Sequence, residues 1–179
     1  MSSMGNANKN LSNVFGEQVL QNAIRVNLNN EGFCNIQTLA GMPVGGNNRA
    51  GADAAYIAWK NGENYLILGD NKDWQTIRSD MMDKSKIENW VTNSLNLYPE
   101  ADVIRFYLSS TTADASSKVD QNLRQELMDR ISAVADGRSV EIETLYKSEM
   151  EKVASQGISA SSQNQEQQIS NDEEQSYGY

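Results

Sequence analysis

Histidine does not occur among the 179 residues. That absence excludes imidazole general bases, Ser–His and Cys–His nucleophile pairs, and His-ligated zinc. Any catalysis falls to carboxylates, lysine, tyrosine or serine. Cysteine occurs once, at Cys34, so no internal disulfide can form. Its place beside Phe33, just ahead of a strand, predicts a buried thiol. No apolar run approaches the roughly 18 residues of a membrane span, so a soluble chain without a membrane partner is expected. The N-terminal MSSMGNANKN lacks the apolar segment of a secretory signal peptide, and none is expected.

What is present describes one folded domain with polar ends. Apolar residues make up 39% of the chain, enough for a core. Residues 1–10 read as a flexible N-terminus, 11–155 as the domain and 156–179 as a disordered acidic, Gln-rich tail. The tail has too little apolar surface to offset its ordering entropy. The net charge is −9, and Glu166, Asp172, Glu173 and Glu174 of the tail leave the body at −5. Such acidity weighs against nucleic-acid binding, for which basic patches are expected.

Periodicity orders the elements. Leu20, Ile24 and Leu28 form one stripe of a helix over 11–30. Glu17 falls on the same stripe, where a charge is costly unless it is partnered or projects from the helix end into water. Asn35 to Ala40 reads as a first strand. ADAAYIAWK and YLILGDNK flank Asn61-Gly62, a strong hairpin signal. Ser85-Lys-Ile-Glu88 has the form of a capping box, with Ile87, Trp90, Val91 and Leu95 as the stripe behind it and Pro99 beyond the end. DVIRFYLS (102–109) alternates as a strand. Val119, Leu123, Leu127, Ile131 and Val134 predict another helix, closed by Gly137. Val140, Ile142 and Thr144 alternate with Glu141 and Glu143 in a last strand with one wet face. The order predicts an α/β fold with a central mixed sheet and helices on both of its faces.

The hairpin concentrates the chemistry. Asp53 opens its first strand and Asp70-Asn71-Lys72 ends its second, so pairing brings both aspartates together at the end away from the turn. Leu66, Leu68, Asp70 and Lys72 share one face by the period of two. Two carboxylates are hard oxygen ligands suited to Mg²⁺ or Mn²⁺ beside a phosphate, and Lys72 on the same face would orient an attacking water and offset charge on phosphoryl oxygens. Taken singly, Asp53 reads as a strand cap and Asp70 as a loop residue; jointly with Lys72 and Glu17 they read as a metal site. Arg49, Arg78, Lys84 and Lys86 flank it, as phosphate contacts or equally as a solvated rim. Trp59, Trp74 and Trp90 read as packing residues, with Trp74 the one placed to meet a base. The glycine-rich GMPVGGNNRAG lacks the Gly-Lys-Ser ending of a phosphate-binding loop, which excludes a nucleoside triphosphatase of that type.

An αβββαβ order with Asp at the start of strand two and (D/E)-x-K ending strand three resembles the PD-(D/E)xK nucleases, the restriction-endonuclease-like superfamily. The resemblance covers roughly residues 11–110. It implies a Mg²⁺- or Mn²⁺-dependent endonuclease, a hydrolase of DNA or RNA phosphodiester bonds, with an extra C-terminal helix and strand. Asp53, Asp70 and Glu17 become metal ligands, Lys72 the catalytic lysine and Gln75 a supporting residue; Arg49, Trp74 and Arg78 stand nearest as nucleic-acid contacts. Ala52 stands where proline often precedes the first Asp, and Asp70 where Glu is more usual. YLILGDNK is most similar to nuclease toxin domains of bacterial polymorphic toxin and contact-dependent inhibition systems. That implies action in the cytoplasm, delivery from another cell, and neutralisation by a cognate immunity protein. The alternative reading is a non-enzymatic acidic interaction protein, either an immunity protein or an inactive nuclease-fold module, whose charge would mask a basic partner.

Overall fold

The turn at Asn61-Gly62 has both central residues at positive φ, 52° and 81°. A two-residue hairpin turn of this kind matches the right-handed twist of its strands, and Asn-Gly adopts it at little cost. The turn fixes the register of β2 (Ala54–Lys60) and β3 (Glu63–Asn71), from Lys60 opposite Glu63 to Ala54 opposite Gly69. In this computed structural model residues 17–42, 52–72, 83–110 and 121–146, together with 149 and 152, are described. The predicted tails (1–10 and 156–179), Val119 and most of the glycine-rich segment lie outside them.

The elements run α1 (17–30), β1 (Cys34–Thr38), β2, β3, α2 (Lys84–Leu97), β4 (Val103–Ser109), α3 (Gln121–Val134) and β5 (Ser139–Leu145). The five strands lie in sequence order, β1 to β5. β1 and β3 both run antiparallel to β2, and β3, β4 and β5 are mutually parallel. Strand β2 alone therefore runs against the other four. Each parallel pair is joined through a helix, as parallel strands require.

Two apolar layers hold the sheet between helices. Leu20, Ile24 and Leu28 of α1, all fully buried, pack with Ala54, Tyr56, Ala58, Ile67 and Tyr107 on one face. On the other, Ile87, Trp90, Val91 and Leu95 of α2 and Leu123, Leu127 and Ile131 of α3 meet Leu66, Leu68, Ile104, Phe106, Leu108 and Ile142. β4 is buried along its whole length, because it is an interior strand, paired on both sides and covered on both faces.

The α1 face also encloses a charge. Arg105 of β4 is 4% exposed. Its guanidinium bonds Glu31, Glu141 (3.0 Å) and the Tyr107 hydroxyl (3.1 Å), and it lies over the Phe33 ring at 5.1 Å. Burial opposes its charge, but the hydrogen bonds to Glu31, Tyr107 and Glu141 outweigh that and strengthen its hold on the proton. Burial pushes the Tyr107 phenol up to about 12. It stays protonated and donates to Asn27 Oδ1 at 2.6 Å. The face of β5 expected to be wet is therefore half-buried, with Glu141 partnered by Arg105.

Other expectations are corrected. Cys34 is exposed, at the start of β1, the edge strand of the sheet, of which only Ile36 is half-buried. That strand starts one residue earlier and ends two earlier than its sequence pattern predicts. Trp59, expected to pack, is 43% exposed, whereas Trp90 is buried. The α2 cap is Asp83, whose carboxylate accepts from the Lys86 N–H at 3.0 Å, so Ser85 sits inside the first turn. Gly137 does close α3 at positive φ (80°).

Candidate functional site

Three bonds fix Asp53 where the chain enters β2. Its N–H donates to Gly69 O (3.0 Å), continuing the hairpin ladder. Its carbonyl accepts from Gln21 Nε2 of α1 (2.9 Å), and its carboxylate accepts from the Asn71 N–H (2.8 Å). Across the ladder, Asp70, the last residue but one of β3, is only 3% exposed. Its carboxyl is in hydrogen-bonding contact with that of Asp53. Lys72 Nζ stands 3.3 Å from Asp70 Oδ2, with its side chain 26% exposed. The far ends of one hairpin thus bring two carboxyls and an ammonium together.

Burial sets the protonation of this group. The Asp70 carboxyl is raised from 3.8 to about 7: desolvation, the largest cause, pushes it up, Lys72 pulls it down, and Asp53 pushes it up again through charge and hydrogen bond. Two adjacent carboxyls with one ammonium, beside Asp70, are under-compensated for positive charge when both ionise. A divalent cation matches that need, and the all-oxygen donors fit Mg²⁺ or Mn²⁺.

β4 completes the frame. Ser109, fully buried, donates from Oγ to Asn71 Oδ1 at 2.9 Å, and its carbonyl accepts from the Lys72 N–H at 2.8 Å. Parallel pairing places Asn71 opposite Ser109, so β4 holds the dipeptide that carries the lysine.

The expected three-carboxylate ligand set is not assembled. Among the described residues no three Asp, Glu, Cys or His side chains are grouped closely enough to hold a metal. Glu17 is half-buried on α1, one turn before Gln21. That helix covers the opposite face of the sheet from the one to which the strand period assigns Asp53 and Asp70. Gln75, Arg49, Trp74 and Arg78 lie outside the described residues. Lys84 pairs with Glu126 of α3 and Lys86 lies over the Trp90 ring at 5.4 Å, so both serve the packing of α2. Sequence reading missed Gln21, Asn71 and Ser109 as site residues. Gln21 stands four residues after Glu17 on its helix, and Ser109 is the polar end of β4, a strand that is apolar but for Arg105. Those were the available signals.

No protein-family model matches the chain, and neither the curated proteins nor the solved structures include a significant match. Among the described residues, no helix is long and apolar enough to cross a membrane.

Proposed function

We propose that the chain is a metal-dependent phosphodiesterase acting on DNA or RNA, of the PD-(D/E)xK type. The observation that carries this reading is the meeting of Asp53 and Asp70 from adjacent strands, with Lys72 Nζ 3.3 Å from Asp70. The element order is that of an αβββαβ core extended by a helix and a strand, which is what such a nuclease would have. A bound Mg²⁺ would supply Lewis acidity toward the phosphoryl oxygens. Asp53 and Asp70 would hold it. Lys72 would orient the attacking water and lower the cost of charge building on the phosphate. In this reading the domain is a bacterial toxin or effector, acting in the cytoplasm and countered by a cognate immunity protein.

The test is incubation of purified protein with plasmid DNA and with total RNA, in Mg²⁺, in Mn²⁺ and in chelator. Cleavage that needs the cation and disappears in Asp70→Ala and Lys72→Ala, both still folded by circular dichroism, is the expected result. Cleavage by either variant at near the parent rate would remove the mechanism. The second reading, a binding module without catalysis, is favoured by the net charge of −9 and by the missing third carboxylate among the described residues. It predicts no cleavage with any metal, and tight binding to a basic protein.

A further inference from the structure

The catalytic dipeptide of the proposed site is gripped from the side by a strand that contributes nothing to the chemistry. Asn71 faces two ways. Its backbone N–H holds the Asp53 carboxylate at 2.8 Å, and its side-chain oxygen takes the Ser109 hydroxyl at 2.9 Å. Ser109 is fully buried, and its carbonyl also takes the Lys72 N–H at 2.8 Å. A serine there gives the sheet nothing that a small apolar residue would not. A buried hydroxyl is costly unless bonded. What the hydroxyl adds is a fixed rotation of the Asn71 side chain at the very end of β3, where the strand ladder with β2 has already stopped at Gly69 and pairing with β4 alone remains.

We infer that Ser109 and Asn71 form a positioning pair: their side-chain hydrogen bond aims the Asn71 N–H at Asp53 and delivers the Lys72 ammonium beside Asp70. The inference rests on the proposed phosphodiester chemistry for its consequence, but not for its geometry. Sub-ångström placement of a reacting group is worth a large rate factor, and losing one fixing bond loosens that placement without removing any group that touches substrate. The loss belongs in turnover and not in substrate affinity.

Two readouts test it. The first is independent of activity: amide hydrogen exchange in Ser109→Ala and in Asn71→Ala. The amides of residues 71 and 72 are expected to exchange about tenfold faster than in the parent, while that of Leu68, deeper in β3, stays unchanged. The second is a kinetic double-mutant cycle on the nucleic-acid substrate with Mg²⁺. Each single variant is expected to lose roughly tenfold in kcat, with KM within about twofold, and the double variant to lose no more than either single one. Unchanged exchange at residues 71 and 72, or additive losses in the double variant, would overturn the pairing. If Ser109→Ala does not fold, Asn71→Ala at its half-buried position carries the exchange test alone. If the parent cleaves nothing, the nuclease reading has failed, and exchange by itself decides whether the pair holds the segment.

Discussion

Replacing Asp70 with asparagine should make the protein more stable and leave it inert. In the folded chain burial pushes the Asp70 carboxyl up to about 7, against 3.8 unperturbed. Between about pH 4 and pH 7 the folded chain therefore keeps a proton that the unfolded chain has released, and stability falls as pH rises through that window. At about 1.4 kcal/mol per pKa unit, ionised Asp70 costs the fold on the order of 4 kcal/mol at about pH 8. The attraction of Lys72 is already contained in that net displacement. Asparagine keeps the shape and never ionises. Urea unfolding in chelator should find Asp70→Asn and parent equally stable at about pH 4. By about pH 8 the variant should lead by about 4 kcal/mol, a midpoint gap of about 2 M at a slope of about 2 kcal/mol per M. Adding Mg²⁺ at about pH 8 should raise the parent and leave the variant unmoved, since only a cation bound to the folded state stabilises it. A gap that does not change with pH, or a parent more stable than the variant at about pH 8, would refute the placement of a buried, under-compensated carboxylate here.

Further tests probe the scaffold. Arg105→Met keeps the apolar stem over Phe33 but leaves Glu31 and Glu141 without their shared cation. Removing one partner of a buried ion pair costs up to about 5 kcal/mol, and the partial exposure of both acids puts this case near 3 kcal/mol, read by urea unfolding. Cleavage by the folded fraction should be unchanged. Gly69→Ala would place a methyl 2.8 Å from Ile24 Cδ1 and 3.3 Å from Leu20 Cδ2, two fully buried side chains that would have to repack. It should destabilise by about 2 kcal/mol, displace α1 and, through the loss of the Gln21–Asp53 contact, lower cleavage.

Most of the framework was legible because local physics and periodicity agree. Asn61-Gly62 can only be a tight turn between two alternating runs, and it fixes the register that puts Asp53 beside Asp70. The apolar stripes of the helices are their buried faces, residue for residue, at Leu20, Ile24 and Leu28 and at Ile87, Trp90, Val91 and Leu95. The misses arose where the outcome depends on what covers an element. Cys34 and Trp59 look like core residues in sequence, yet Cys34 lies on the edge strand and Trp59 is its partner on the neighbouring strand. Glu17 shares a helix stripe with core leucines, but periodicity cannot say which face of the sheet that stripe will cover.

The sequence alone determined the hairpin, the helix faces and the absence of imidazole chemistry, since each depends on residues near one another in the chain. Only the tertiary structure decided that Asp70 is buried, that Ser109 reaches Asn71 across 38 residues, and that α1 holds Asp53 from behind through Gln21. Burial and long-range bonding are properties of which surfaces come together. A local pattern constrains those surfaces one at a time, and their pairing is settled only when the layers pack.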